Sequence, residues 1–227
     1  MDKAKLESSQ IAEPRKNLKN MADYEHDIFI SYGRSDELWL RWHRDNFVQT
    51  LSSLLRPRLG SLRVYMDESI DEGSSWPNHL ARGLSRSRIL VPVLSRGYFQ
   101  SDWCRLELAL MHDREQTGGL RCAGNPSGVI VPVTIDDGEC FPPEVQAMQS
   151  LSLHDFANPR MRTDSPKLEI MAEKMRTKLC DSIEVAVKNA PHFDPAWESI
   201  AHEQFEGVFK VQMQSQTTLP SLSLPIS

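Results

Sequence analysis

Trp103-Cys104-Arg105-Leu106-Glu107 places an indole and a carboxylate four residues apart. On a helix, residues four apart share a face, so the two side chains project together. An indole beside a carboxylate suits a ligand that carries an aromatic cation next to a sugar. The carboxylate can hydrogen-bond ribose hydroxyls and stabilise positive charge developing at the anomeric carbon. A second constellation spans residues 67–76, where Asp67, Glu72, Gly73 and Trp76 put two carboxylates and an aromatic in one loop. Arg34 and Asp36 form a third, able to bind phosphate or to close as a surface ion pair. Taken singly, spacing favours the plainer reading of each. These are a core Trp103 with a Glu107 that favours the positive helix N-terminus, a solvated turn with a helix cap, and a salt bridge.

Other chemistries are excluded by what the chain lacks. Gly33 stands alone after the first apolar run, without G-x-G-x-x-G, while Gly119 and Gly124 precede a strand, the wrong order for cradling phosphate. There is no P-loop and no G-x-S-x-G elbow. His43, His79, His112 and His154 are scattered, and most of them read as surface or half-buried side chains rather than bases. Cys104, Cys122, Cys140 and Cys180 form no C-x-x-C pair and have no histidine at ligand spacing, so no metal site is expected. All four are expected to be free thiols in a reducing, cytoplasmic setting.

The elements that must position these residues follow from apolar patterning. Residues 27–32 form a short β-rich run, read as a strand buried on both faces. A helix follows with Leu40, Phe47, Leu51, Leu54 and Leu55 on one face, ended by Pro57 and Gly60. Residues 62–67 read as a second strand and 71–75 as a loop. Ser75 is expected to cap a helix opened by Trp76 and Pro77. A third strand is expected at 89–94 and a helix from Ser101 or Asp102 to about Gln116. A fourth strand is expected at 129–135 and a short fifth at 150–156. Pro166 opens a long helix whose apolar face runs from Leu168 to Val187, and Asp194-Pro195 starts a short one with Trp197, Ile200 and Phe205. Alternating strands and helices predict a parallel sheet covered on both faces, with ligands beyond the carboxyl ends of the strands. Residues 31–37, 67–76, 95–107 and 135–141 fall there.

Length and composition agree with one such unit. The chain has 227 residues, 40% of them hydrophobic, and a formal net charge of −5. A net acidic chain disfavours nucleic acid as the main partner. No apolar run approaches the ~20 residues that cross a bilayer, and residues 1–24 show no apolar h-region. The chain is divided into a polar N-terminal tail (1–24), a domain (25–188), and a short helix with a flexible C-terminal tail (189–227).

Four segments in order resemble the Toll/interleukin-receptor (TIR) domain family, of the NAD-cleaving, microbial type. Asp27-Ile28-Phe29-Ile30-Ser31-Tyr32 looks like its first box. Residues 67–76, with Gly73 central, look like its second strand and the following BB loop. Val93-Leu94-Ser95, Tyr98 and Ser101-Asp102-Trp103-Cys104-Arg105-Leu106-Glu107 look like its third strand and helix. The resemblance covers residues 25–188. It implies a flavodoxin-like α/β three-layer fold with a five-stranded parallel sheet.

The resemblance also implies a function. Glu107, in W-x-x-x-E, would be catalytic, and Trp103 would pack beside the nicotinamide end of NAD. Arg34, Asp67 and Trp76 would contact substrate. NAD would be cleaved at the nicotinamide–ribose bond to ADP-ribose or a cyclic isomer, in defence or stress signalling. No metal and no cofactor beyond the NAD substrate is implied. Self-association through the 67–76 loop is expected, and neither nucleic acid nor membrane is a partner. Gly33 departs from the charged or polar residue common there, and the Phe-Trp box of animal receptor domains is missing, which argues against a vertebrate-type adaptor. The rival readings are a non-catalytic TIR interaction module and, less favoured, a nucleotide-binding sensor.

Overall fold

The first apolar run forms β1 (His26–Tyr32), buried along nearly its whole length. It is paired in parallel on one side with β2 (Val64–Met66) and on the other with β3 (Ser87–Leu94). β4 (Val133–Thr134) and β5 (Leu151–Ser152) complete a five-stranded parallel sheet of order β2-β1-β3-β4-β5. That order is the flavodoxin-like one, in which β1 and β3 flank the switch point where a crevice opens at the strands' carboxyl ends. The computed structural model describes residues 24–34, 36–68, 76–139 and 141–217. The expected loop at 71–75, with Gly73 and the Ser75 cap, and Cys140 lie outside the described residues.

Two strands are shorter than their apolar patterns predict. In the expected fourth strand only Val133 and Thr134 are regular, with Ile130 bridging Leu90 separately. Pro132 between them lacks the N–H that a continuous ladder needs. The fifth strand likewise narrows from residues 150–156 to Leu151–Ser152, because the chain turns into a 3-10 helix at His154–Phe156.

The first helical stretch runs from α1 (Glu37–Arg41) through a π-helical segment (Trp42–Val48) into α2 (Gln49–Leu59). Asp36 accepts from Trp39 N–H at 2.9 Å and caps its start. Pro57 does not end this helix as expected. It sits inside the last turn, and the chain leaves the helix at Gly60, whose φ of +75° suits a residue without a side chain. α3 (Trp76–Ser85), α4 (Arg96–Gln100), α5 (Asp102–Thr117) and a short α6 (Pro143–Gln146) follow. The long helix opened by Pro166 consists of α7 (Pro166–Lys174), a π segment (Met175–Leu179) and α8 (Cys180–Asn189). α2 packs on α7 and α8. These helices and α3 and α5 sandwich the sheet as a three-layer α/β fold.

The expected short C-terminal helix is instead α9 (Ala196–Thr217), 22 residues long, packed on α3 and α5. Its buried line is Ala201 and Phe205, both in the main core cluster, while Ile200 faces solvent at 48% exposure. The segment after residue 188 therefore contributes to the core rather than trailing from it. Arg114 anchors the helix: its buried guanidinium donates to the carbonyls of Ser87 (2.8 Å) and Ser85 (3.1 Å) and lies 4.0 Å from the Trp197 ring.

Candidate active site

Ser101 opens α5, its hydroxyl accepting from Cys104 N–H. Along the inner face of the helix come Cys104, Glu107, Met111 and Arg114, all buried. Glu107 thus occupies a place in the apolar stripe where a hydrophobe belongs. It is 5% exposed. Among the described residues its carboxylate oxygen Oε2 has one side-chain partner, the hydroxyl of Ser31 near the end of β1. Ser31 lies 2.9 Å from the fully buried Tyr98 hydroxyl. Each hydroxyl has a single proton, so the chain runs two ways. An ionised Glu107 accepts from Ser31, which accepts from Tyr98; a neutral Glu107 donates to Ser31, which donates to Tyr98.

Burial pushes the Glu107 carboxyl up to about 8. The Ser31 hydrogen bond opposes that shift, the charge of Asp67 adds to it, and Arg34 opposes it. Burial also holds the neighbouring Cys104 thiol neutral, its pKa raised to about 12.

Arg34, Asp67 and Trp76 meet at the rim. Asp67 Oδ2 accepts from Arg34 Nη2 at 2.5 Å and from Trp76 Nε1 at 2.6 Å. Arg34 also donates to the Asp67 carbonyl at 3.0 Å, as does the Tyr32 hydroxyl at 2.7 Å, and the Arg34 guanidinium lies 5.5 Å from the Trp76 ring. This three-part latch ties the end of β2 to the start of α3 and to the turn after β1. Asp36 has no part in it, being the cap of α1. Trp76 meets Trp103 edge to face, centroids 4.6 Å apart.

All five residues singled out by sequence, Arg34, Asp67, Trp76, Trp103 and Glu107, line one cavity of about 120 Å³. Ser31, Tyr32, Ser101 and Cys104 share its wall. A wider groove of about 840 Å³ beside β4 and β5 carries Lys174, Lys178 and Asp181, side chains that reach solvent. A buried titratable group facing a cleft is the stronger mark of chemistry, so the smaller cavity is the candidate site. Gly33 is explained by packing: a Cβ there would lie 2.9 Å from Tyr98 N. The departure from a charged residue keeps the turn after β1 against α4.

Sequence reasoning gave no role to Ser31, Tyr98 or His43. Ser31 and Tyr98 stand within quoted family segments, but Ser31 is 76 residues from Glu107 and 67 from Tyr98 along the chain, so their junction is not visible in the sequence. His43 is not a surface or half-buried histidine. It is 2% exposed, packed among the rings of Tyr32, Trp39 and Trp42, and held neutral by burial with its pKa lowered to about 3. Cys104, Cys122 and Cys180 are free thiols. Among the described residues no group of His, Cys, Asp and Glu could hold a metal ion, and no helix is long and apolar enough to cross a membrane.

Comparison with known proteins gives the family. The sequence profile of the TIR domain matches residues 28–164, and the chain belongs to the TIR domain family. Its similar proteins include the Arabidopsis thaliana protein SUPPRESSOR OF npr1-1, CONSTITUTIVE 1, 26% identical over 59% of this chain and 8% of that protein. They also include two bacterial proteins. One is the NAD(+) hydrolase PdTIR of Paracoccus denitrificans, 33% identical over 42% of this chain and 29% of that protein. The other is the NAD(+) hydrolase TirS of Staphylococcus aureus, 25% identical over 69% of this chain and 54% of that protein. The chain thus spans little more than half the length of these relatives at most.

Proposed function

We propose that this chain is an NAD glycohydrolase that breaks the nicotinamide–ribose bond and releases nicotinamide with ADP-ribose or a cyclic ADP-ribose isomer. One observation carries the reading: Glu107 is a buried carboxyl, short of charged partners, facing a cavity walled by Trp103. The names of the bacterial relatives support it. The cavity, about 120 Å³, has room for the nicotinamide end and not for a whole dinucleotide. The remainder of NAD extends past Arg34 and Asp67 at the rim once their latch opens.

The empty site holds Glu107 with a proton near neutrality. A positively charged pyridinium beside it favours the ionised form, so substrate entry itself prepares the carboxylate. The bond from C1′ to the ring nitrogen then breaks, and its electron pair leaves with neutral nicotinamide. Glu107 stabilises the oxocarbenium-like sugar and orders the ribose hydroxyls. Water, losing a proton, or an adenine nitrogen of the same molecule captures C1′. Trp103 packs beside the nicotinamide end, Arg34, Asp67 and Trp76 contact the rest, and neither metal nor cofactor takes part.

The setting is cytoplasmic defence or stress signalling, and copies of the chain assemble through residues 67–76, raising specific activity with concentration. Incubating the purified chain with NAD and measuring free nicotinamide tests the reading. No release at any protein concentration, from a folded sample, overturns it in favour of a non-catalytic interaction module. Constant specific activity across a dilution series, with a monomer by light scattering throughout, rejects the assembly half alone.

A further inference from the structure

α9 lies beyond the residues matched by the TIR profile, 28–164, yet it reaches the candidate site. Phe205, fully buried, lays its ring nearly parallel to Trp103, centroids 5.8 Å apart and 17° between planes. Trp103 also meets Trp76, at 76° with centroids 4.6 Å apart. Trp103 is therefore in contact with both a ring from the C-terminal helix and a ring from the rim latch. α9 is itself held in place independently of the cavity. Arg114 caps the Trp197 ring, Arg86 pairs with Glu198 at 2.7 Å, and Gln212 donates to Asp102 at the first turn of α5 at 3.3 Å.

We propose that Phe205 is a positioning residue for this site. By stacking on Trp103 it fixes the plane against which the substrate's aromatic ring packs, so that α9 is part of the active-site wall. The role in catalysis rests on the NAD-cleavage reading; the grip on Trp103 does not. Trp103 is only half-buried in α5, and a half-buried indole without its inner neighbour gains rotamers. Ordering it again on substrate entry costs affinity, which falls on KM rather than on the chemistry at Glu107.

Phe205→Ala is compared with Phe205→Leu, which restores bulk, and with Leu55→Ala, a fully buried α2 position remote from the cavity. Phe205→Ala is expected to raise KM for NAD about tenfold, the scale of one lost aromatic pair. The shape of the pH profile, set by Glu107, should stay unmoved. Phe205→Leu, which restores bulk without the ring, should recover only part of the loss. Leu55→Ala should lower Tm comparably and leave KM alone. The second readout is the far-ultraviolet circular-dichroism couplet of the Trp76–Trp103 pair, assigned by its loss in Trp76→Phe. It should vanish in Phe205→Ala and survive in Leu55→Ala. Unchanged KM and couplet in Phe205→Ala overturn the proposal, as do equal changes in Leu55→Ala. A wild type that releases no nicotinamide overturns the NAD reading and the catalytic role of Phe205. The couplet then still decides whether Phe205 holds Trp103.

Discussion

Two glutamates on α5, eight residues or about two turns apart, are buried in opposite ways. Glu115, 1% exposed, accepts from Arg121 Nε at 2.7 Å, from Arg121 Nη2 at 3.0 Å and from the Ile130 N–H at 2.8 Å. Its charge is matched, and it ties α5 to the start of the β4 segment. Glu107, nearly as buried, meets one hydroxyl, with the Arg34 guanidinium already engaged by Asp67. The first arrangement is a structural clasp. The second leaves a carboxyl with no matched charge facing a cavity, which under the proposed reading ionises when a cationic substrate arrives.

That contrast yields four measurements, from the largest effect down. Glu115→Ala leaves the Arg121 guanidinium and the Ile130 N–H without their partner, and the loss on breaking such a buried pair is about 3–5 kcal/mol. Chemical denaturation reads it; a loss under about 1 kcal/mol would show Arg121 simply reaching water instead.

Glu107→Gln is expected to cut NAD cleavage at least ~100-fold, the scale of removing one positioned electrostatic group, while folding normally. Near-wild-type turnover by this variant sinks the catalytic assignment and leaves Glu107 as a second clasp.

The third is pH dependence, with opposite signs for activity and stability. kcat/KM reports the free enzyme, so it should rise with pH as Glu107 ionises and level off above about 8. The folded pKa lies above the ordinary glutamate value of 4.5, so the native state holds the extra proton between 4.5 and about 8. Glu107's contribution to stability is therefore present at low pH and lost as pH rises through that window. Glu107→Gln should gain in Tm on the wild type as pH goes from 5 to 9. A Tm difference that does not change with pH contradicts the raised pKa.

The smallest effect belongs to Ser31→Ala. Ser31 favours the ionised carboxylate, and a hydrogen bond to a charged group is worth about one pH unit. The activity profile should move up by about that amount. A profile that stays in place, or moves down, shows that Ser31 does not tune Glu107.

Much of the frame was legible in the chain. The strand–helix alternation and the run at residues 27–32 predict the parallel sheet, and the resemblance predicts five strands in the flavodoxin-like arrangement; the observed order is β2-β1-β3-β4-β5. The interval between Trp103 and Glu107 put indole and carboxylate on one helix, because helical periodicity is local. One further sign was present: a glutamate between Cys104 and Met111 in a stripe that the fold buries. Strand lengths were not legible, since Pro132 and the 3-10 turn at His154 act through ladder hydrogen bonds rather than apolar pattern. The length of α9 was not legible either: its exposed face carries Ile200, Phe209 and Val211, and the chain beyond Gln212 is polar, so no continuous apolar face marks its end.

By itself the sequence determined the parallel α/β class of fold and the helix that carries Glu107, both consequences of periodicity within short stretches. The family resemblance, not spacing, singled out the five residues that the structure gathers around one cavity. Only the tertiary structure decided what surrounds the carboxyl. Ser31 reaches Glu107 from β1 with the Tyr98 hydroxyl of α4 behind it, Asp67 is closed by Arg34 and Trp76, and Phe205 comes from about a hundred residues downstream to meet Trp103. Burial and partner count set the pKa of a carboxyl, and both are properties of chain segments brought together by packing.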